Sequence, residues 1–235
     1  MRQFTVRLAS QTVLPGGHVA AEFAEPLPAA PAPGQFYLAQ AATAPAGYLR
    51  RPLFPEPTEA GPWAFELPPA WAQLRPGDEI DLIGPCGRGR EPAEGAPNVL
   101  LIAGADGPAR LRPVARAALA RHSAVVWLGA SPQPLHGLPR EVEVRFGLDG
   151  LPEALEWAEA VYADLPDLWL RDLQHRLREN ALLRDRPRRS RALAFRLPPA
   201  PCGVGACGAC AVATSRGWRL ACVEGPWFEA DELEW

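Results

Sequence analysis

The chain has 235 residues, 48% of them apolar, and a formal net charge of −3 at pH 7. This length and composition suffice for two packed domains or one large one. The weakly acidic balance disfavours nucleic acid as a partner, and no apolar run approaches the roughly 18 residues that span a bilayer. No apolar segment follows Met1 and Arg2, so we expect a cytoplasmic protein.

Residues 1–96 contain short β-like runs separated by Pro and Gly, without a convincing helix. Arg75–Asp78 has the Pro and Gly positions of a turn that leads into the last of these runs. The pattern predicts an antiparallel β-barrel, and we assign it to a flavin-type barrel domain. The clearest strands are Phe4–Leu8, His18–Phe23, Gln35–Leu38 and Glu79–Ile83.

Residues 97–197 change to an alternation of strands and helices. Asn98–Ala103 is a continuous apolar run, which is typical of a strand buried on both faces of a parallel sheet. The alternation predicts a doubly wound α/β domain of the nucleotide-binding type, so the fold class is a multidomain α+β protein. Further strands are predicted at Ala124–Leu128, Val142–Phe146 and Ala160–Ala163, and helices at Leu111–Arg121, Pro152–Glu159 and Pro166–Asn180.

Two further features belong to this second region. In its last helix, Trp169, Leu173 and Leu177 are spaced to share one buried face. The Arg-rich segment 184–191 that follows is interpreted as a solvated loop rather than as a docking patch.

Residues 198–235 carry four cysteines in the pattern C-x4-C-x2-C-x11-C. The first two spacings, which join Cys202, Cys207 and Cys210, are those of a plant-type [2Fe–2S] site, and Cys222 supplies the fourth cysteine. Small residues fill almost every place between the first three, and the glycines among them permit unusual backbone angles and let amide N–H groups approach the sulfurs. We therefore predict a small cluster-binding domain whose metal ligands are these four thiolates.

Other interpretations of the cysteines remain open. A structural zinc site usually has two C-x2-C knuckles, and this chain has one. An odd total of five cysteines argues against a disulfide framework. Cys86 is interpreted as a small loop residue, with a redox or cofactor contact as the less favoured role. Trp218 and Trp227 flank Cys222, where they either shield the cluster or simply pack.

The motifs resemble those of the electron-transfer subunit of NAD-dependent dihydroorotate dehydrogenase (type B), within the ferredoxin-reductase superfamily. That family's tail runs Cys-Gly-x-Gly-x-Cys-x-x-Cys and closes with Cys-x-Asp-Gly-Pro-x-Phe. Residues 202–210 match the first part, and residues 222–228 match the second with Glu224 in place of Asp. Segments 34–36, 50–53 and 84–89 match three motifs of the family's barrel.

The resemblance implies an electron relay in pyrimidine biosynthesis. Electrons would pass between NAD(H), FAD and the [2Fe–2S] cluster, and an FMN-containing catalytic subunit would oxidise dihydroorotate within a cytoplasmic heterotetramer. No membrane partner and no catalytic residue on this chain are implied. The implied cofactor contacts are Arg51, Pro52, Leu53, Gly84, Gly87, Gly104 and Gly107.

The departures from the family all concern nucleotide binding. Phe54 stands where the flavin-phosphate motif has Ser, Asp106 lies in the dinucleotide turn, and Asp164 replaces the Cys of a Cys-Gly-Pro motif. Three hypotheses follow. The chain is a full relay, a cluster-only carrier or adaptor that has lost NAD and possibly FAD binding, or a module stapled by zinc.

Overall fold

The computed structural model describes residues 1–14, 19–27, 31–44, 49–57, 63–92, 95–104, 108–132, 135–179 and 192–235. These residues form two compact units. Unit 1 comprises 1–89, 197–211 and 220–226, and unit 2 comprises 90–196, 212–219 and 227–235. No described helix is long and apolar enough to cross a membrane.

Unit 1 is built on a nearly closed antiparallel barrel of seven strands. Their order around the barrel is β4-β3-β7-β1-β2-β6-β5. A single 3-10 turn, Pro69–Trp71, follows β6. The strands are β1 (Arg2–Val13), β2 (Val19–Phe23), β3 (Phe36–Gln40), β4 (Arg51–Leu53), β5 (Pro55–Pro57), β6 (Trp63–Leu67) and β7 (Glu79–Cys86).

The barrel strands alternate inward apolar and outward polar side chains. In β1, Val6 and Leu8 are buried while Thr5 and Arg7 face solvent, which is the period of a strand with one buried face. The turn predicted before β7 is present, because the Asp78 N–H donates to the Arg75 carbonyl at 2.9 Å. The buried side chains of the barrel include Val19, Phe23, Tyr37, Leu53, Phe65, Leu67, Trp71, Ile80 and Leu82.

Unit 2 contains a six-stranded sheet in the order β10-β9-β8-β11-β12-β15. The first five strands are parallel, and β15 pairs antiparallel with β12. Its strands are β8 (Asn98–Ala103), β9 (Ala124–Gly129), β10 (Glu143–Phe146), β11 (Ala160–Asp164), β12 (Ala192–Phe195) and β15 (Trp227–Glu229). Its helices are α1 (Pro108–Leu119), α2 (Leu151–Trp157) and α3 (Asp167–Glu179), and a two-stranded sheet pairs β13 (Ala211–Thr214) with β14 (Gly217–Leu220).

The order of the parallel strands is that of a doubly wound sheet. Numbered along the chain as one to five, they lie in space as 3-2-1-4-5, so the strand order reverses between β8 and β11. Residues 99–103 of β8 are fully buried, as the continuous apolar run predicted. Ligands of such sheets bind outside the carboxyl ends of the strands at the point of reversal. This edge is therefore the place to look for nucleotide contacts.

Two side chains differ from the expectations. Trp169 does not share the buried face of α3, because its side chain is exposed and Leu170 is buried instead, beside Leu173. Trp227 lies in β15 and packs edge-on against Tyr162 and Phe195, with ring centroids at 5.4 and 5.2 Å. The packing alternative therefore describes Trp227.

The cysteine-bearing tail does not lie within one unit. Residues 198–211 and 220–226 belong to unit 1, whereas 212–219 and 227–235 belong to unit 2. The boundaries 96/97 and 197/198 remain predictions. The Arg-rich segment 184–191 lies outside the described residues.

Candidate metal centre

The loop that carries the cysteines is hydrogen-bonded to the end of the last barrel strand. The Gly87 N–H donates to the Cys222 carbonyl at 2.8 Å, and the Arg88 N–H donates to the Gly225 carbonyl at 2.6 Å. The Gln35 side chain in turn donates to the Gly87 carbonyl at 3.0 Å. The barrel therefore fixes the segment that presents Cys222.

Gly203 brings the first part of the loop into direct contact with the barrel. Its φ is +67°, and a Cβ at this position would lie 2.9 Å from Leu38 Cδ1 and 3.1 Å from Cys86 Sγ. No larger residue fits here without displacing a neighbour. The next two loop glycines, Gly205 and Gly208, also have positive φ, of +75° and +70°. These angles confirm the predicted use of glycine in the loop.

The four candidate ligands come together as two pairs of thiols. Cys210 Sγ and Cys222 Sγ are 3.3 Å apart, and the thiol of Cys207 donates a hydrogen bond to Cys202. Within the described parts of the chain, no three His, Cys, Asp or Glu side chains converge closely enough to hold one metal ion. Two pairs of thiols would offer each of the two irons of a [2Fe–2S] cluster two ligands.

Backbone amides stabilise the thiolate form of the first pair. Burial alone would raise the pKa of Cys202, but hydrogen bonds within the loop lower it to about 6. The donors include the Cys207 thiol and the backbone N–H groups of Cys207, Val204 and Ala206. With a cluster bound, the same amides would be available to donate to its sulfurs, an interaction that influences the reduction potential.

The two pairs differ in exposure. Cys210 and Cys222 are buried, and burial raises the pKa of Cys222 to about 12, with the neighbouring Cys210 adding to the rise. Cys202 is half-buried, and Cys207 is exposed. The loop therefore presents one pair to the interior of unit 1 and the other to its surface.

Cys86 lies in β7, directly behind the cysteine loop. It is buried, and burial raises the pKa of its thiol to about 12. The thiol donates weakly to the Ile83 carbonyl at 3.5 Å and contacts Gly203. The interpretation of Cys86 as a loop residue is therefore wrong, because it is the last residue of strand β7. It packs behind the cysteine loop without joining either thiol pair.

The barrel residues implied as cofactor contacts have different surroundings. Arg51 and Pro52 are exposed on β4, while Leu53 is buried in the barrel core. Gly84 packs under Tyr37, where a Cβ would lie 2.4 Å from the ring, and Gly87 packs against Gly225. Arg51 and Pro52 are the members of this set open to a ligand, and all of them remain predictions.

Phe54 and Arg50, which flank that set, make contacts inside the barrel unit. The ring of Phe54 is half-buried, with its centroid 5.9 Å from that of Phe36. The Arg50 guanidinium pairs with Asp81 at 2.6 Å. Arg50 is therefore a structural cation, and Arg51 is the arginine of this motif that is available to a phosphate.

The predicted nucleotide edge of unit 2 is described in part. The Gly104 N–H donates to the Asp164 carbonyl at 2.7 Å, and a Cβ on Gly104 would lie 3.1 Å from Pro166 Cδ. The Asp164 side chain is ion-paired with Arg110. Asp106 and Gly107 lie outside the described residues. In the described part of this edge, Gly104 allows the end of β8 to pack closely against the residues that follow β11.

Two residues have structural roles that the sequence did not predict. The Glu224 carboxylate accepts the Leu220 N–H at 3.1 Å and so closes the turn around Cys222. Its place in the tail motif was the available signal. The pairing of Arg110 could not be predicted, because its partner Asp164 is distant in sequence.

Comparison with protein families supports the cluster. Residues 201–234 match the family model described as the iron–sulfur cluster binding domain of dihydroorotate dehydrogenase B. Putative dihydroorotate dehydrogenase B (NAD(+)) electron transfer subunits of Thermotoga petrophila and Thermotoga maritima are 53% identical over 34 residues. This match covers 14% of the chain and 16% of each relative. The predicted iron–sulfur cluster and the resemblance are confirmed over this segment.

Comparison with solved structures confirms the fold class. A chain of the NADH-dependent reduced ferredoxin–NADP oxidoreductase has a TM-score of 0.77 at 20% identity, over 98% of this chain and 90% of that one. The ferredoxin reductase of carbazole 1,9a-dioxygenase, in its FAD apo form, has a TM-score of 0.59 at 18% identity. That match covers 80% of this chain and 65% of the reductase. The barrel and the α/β unit are therefore those of a ferredoxin-reductase-like fold.

Proposed function

We propose that this chain is the electron-transfer subunit of a dihydroorotate dehydrogenase of the B type. In this proposal it carries electrons between its own cofactors and an FMN-containing catalytic subunit that interconverts dihydroorotate and orotate. A heterotetramer of two copies of each subunit is part of the proposal. The observation that carries it is the arrangement of four cysteine thiols as two pairs on a loop held by the barrel.

The chemistry of the ligands fits a [2Fe–2S] cluster. When bound, such a cluster supplies one-electron transfer. Cys202 and Cys207 would bind one iron, and Cys210 and Cys222 the other. The loop amides around Cys202 stabilise negative charge on sulfur, and the glycines at 203, 205 and 208 let the backbone wrap closely.

A flavin would be held by the outer face of the barrel. Arg51 supports this proposal, because its guanidinium is exposed on β4 next to Pro52 and can pair with a phosphate in the bidentate manner of arginine. Phe54 offers no hydroxyl at the position that follows Leu53. We therefore expect FAD binding to depend mainly on Arg51.

The exposed thiol pair is the place for a partner to approach. Cys207 is exposed, and so are two apolar residues of the cysteine segments, Val204 at 54% and Val223 at 45%. An exposed apolar rim around a redox centre is suited to a protein partner. The buried Cys210 and Cys222 pair then faces the inside of unit 1.

The first test replaces single cysteines by serine in protein purified without air. Cys202→Ser, Cys207→Ser, Cys210→Ser and Cys222→Ser should each lose most of the roughly two irons and two sulfides expected per chain. Cys86→Ser is the matched control, because it removes a buried thiol of the same unit that belongs to neither pair. Iron and acid-labile sulfide analysis, with electron paramagnetic resonance after reduction by dithionite, provides the measurement.

The outcomes separate the alternatives. Zinc without sulfide in the wild-type chain would reject the electron-transfer function in favour of the stapled module. Iron loss in Cys86→Ser equal to that of the four ligand variants would reject the ligand assignment. If the cluster is present, dihydroorotate should bleach its visible absorbance only when the FMN-containing subunit is added. Bleaching that does not depend on that subunit would reject the proposed partner.

A further inference from the structure

Arg110 and Asp164 form an ion pair at the carboxyl ends of the central strands of unit 2. Arg110 Nε lies 3.0 Å from Asp164 Oδ2, and their side chains are 22% and 8% exposed. The Arg110 guanidinium also lies over the Phe195 ring, 4.9 Å from its centroid. The side chain of Arg110 thus reaches from the first turn of α1 across the ends of β11 and β12.

This pair stands at the reversal of strand order described above. Asp164 is the last residue of β11 and pairs with Ala103, the last residue of β8. These are the two neighbouring strands between which the order reverses, and ligands of doubly wound sheets bind there. The position that a ligand would contact is therefore occupied by side chains of this chain.

The pair offers little to an entering dinucleotide. Its two charges neutralise each other, so the guanidinium already has an anionic partner. A ligand that displaced Arg110 would leave the carboxylate of Asp164 buried without its cation, which is strongly unfavourable. The backbone is also closely packed at Gly104, beside the pair. A Cβ added to Gly104 would lie 3.1 Å from Pro166 Cδ.

The sequence positions of the two residues point the same way. Arg110 is the last residue of the dinucleotide turn that contains Asp106, where the resembling family has Pro, and Asp164 stands at the Cys of that family's Cys-Gly-Pro motif. Each change alone would leave a largely buried charge without compensation, whereas together they form one pair. Two departures from the family that lie far apart in the sequence are therefore the two halves of one ion pair.

We propose that the Arg110–Asp164 pair closes the switch-point crevice of unit 2 to nicotinamide dinucleotides, so that NADH does not reduce this chain. The inference rests on the proposed electron-transfer function and specifies it. In the proposed function the cluster then takes its electrons from the reduced flavin of the FMN-containing subunit, and Arg110 and Asp164 are the residues that exclude NADH as the donor.

The test measures NADH and NAD⁺ binding to the full chain by equilibrium dialysis, and NADH-driven bleaching by absorbance. The wild-type chain should show no saturation up to about 1 mM, the upper end of ordinary KM values. Arg110→Ala combined with Asp164→Asn opens the crevice without leaving a buried charge, and should bind NADH at least about tenfold more tightly. The matched control, Arg176→Ala with Asp172→Asn, removes an exposed Arg–Asp pair on α3 and should bind as the wild type does.

Saturable micromolar binding of NADH by the wild-type chain overturns the proposal. So does an opened variant that binds no better than the control, since the pair would then not be the barrier. If the first double variant fails to fold, Arg110→Gln with Asp164→Asn, which keeps polar side chains of similar shape, decides by the same criteria. Iron and sulfide analysis of the same samples tests the electron-transfer function separately, because it does not depend on nucleotide binding.

Discussion

Gly203 and Gly208 share a left-handed backbone in the cysteine loop but differ in their surroundings. Gly203 has φ +67° with Leu38 and Cys86 within 3.1 Å of a Cβ position, whereas Gly208 has φ +70° with nothing within 4 Å. Replacement of either by Ala costs about 1–2 kcal/mol for the left-handed conformation. Gly203→Ala should cost about 1–3 kcal/mol more, because the added methyl overpacks the contact with the barrel.

The comparison of the two alanine variants isolates that contact. We expect Gly203→Ala to lower both the thermal midpoint and the iron content of the purified chain, and Gly208→Ala to lower them less. Calorimetry and iron analysis on parallel preparations provide the measurement. Equal losses in both variants would mean that backbone strain alone matters and that the loop does not depend on its contact with β7.

The difference between these glycines marks the limit of sequence reasoning at this scale. The spacing of the cysteines and the abundance of glycine were enough to predict a cluster loop with unusual backbone angles. Which glycine touches Leu38 could not be predicted, because that contact joins residues from opposite ends of the chain. The ion pair of Arg110 and Asp164 was not predicted for the same reason.

Helix α3 holds the C-terminal residues through the side chain of Gln174. Its Nε2 donates to the carbonyls of Ala230 and Leu233 at 3.0 and 2.9 Å, and its Oε1 accepts the indole N–H of Trp235 at 3.1 Å. The side chain is buried. Three hydrogen bonds from one buried amide make this position the link between the helix and the segment after β15.

Gln174→Met should remove these hydrogen bonds while it preserves the side-chain volume. We expect a loss of about 1–3 kcal/mol in the free energy of unfolding, because buried carbonyls lose their donor. Asp172→Asn on the same helix weakens only an exposed i,i+4 pair with Arg176, for which about 0.3–0.5 kcal/mol is expected. Urea titration of both variants is the measurement, and similar losses would contradict the role of Gln174.

At the level of elements, local sequence patterns predicted most strands and helices. They did not predict that a strand of the C-terminal tail joins the sheet of unit 2. The parallel strands β8, β9 and β11 followed from their apolar runs. The pairing of β15 with β12 did not, because a three-residue strand has no recognisable period and its partner is more than 30 residues away. Trp169 shows a related limit. Its spacing predicted that it shares the buried face of α3 with Leu173, but its side chain is exposed and Leu170 is buried there instead.

The division of the chain into two units has a consequence for cluster loss. Cys202, Cys207, Cys210 and Cys222 all belong to the unit that contains the barrel, although half of the other residues of 198–235 belong to the α/β unit. Loss of the cluster should therefore loosen the end of β7 more than the sheet of unit 2. The sequence placed all of residues 198–235 in one small domain and could not reveal this asymmetry.

Amide hydrogen exchange at Gly87 and Arg88 tests it. Both N–H groups donate to carbonyls of the cysteine segment, those of Cys222 and Gly225, so they should lose protection when the cluster is removed by a chelator under air. We expect exchange at these two amides to rise at least about tenfold, which corresponds to about 1.4 kcal/mol of lost local stability. The amides of β9 serve as the internal control, because they lie in the parallel sheet of unit 2. A rise of the same size in β9 would mean that the cluster stabilises both units alike, and no rise at Gly87 would mean that the barrel holds the loop with or without its cluster.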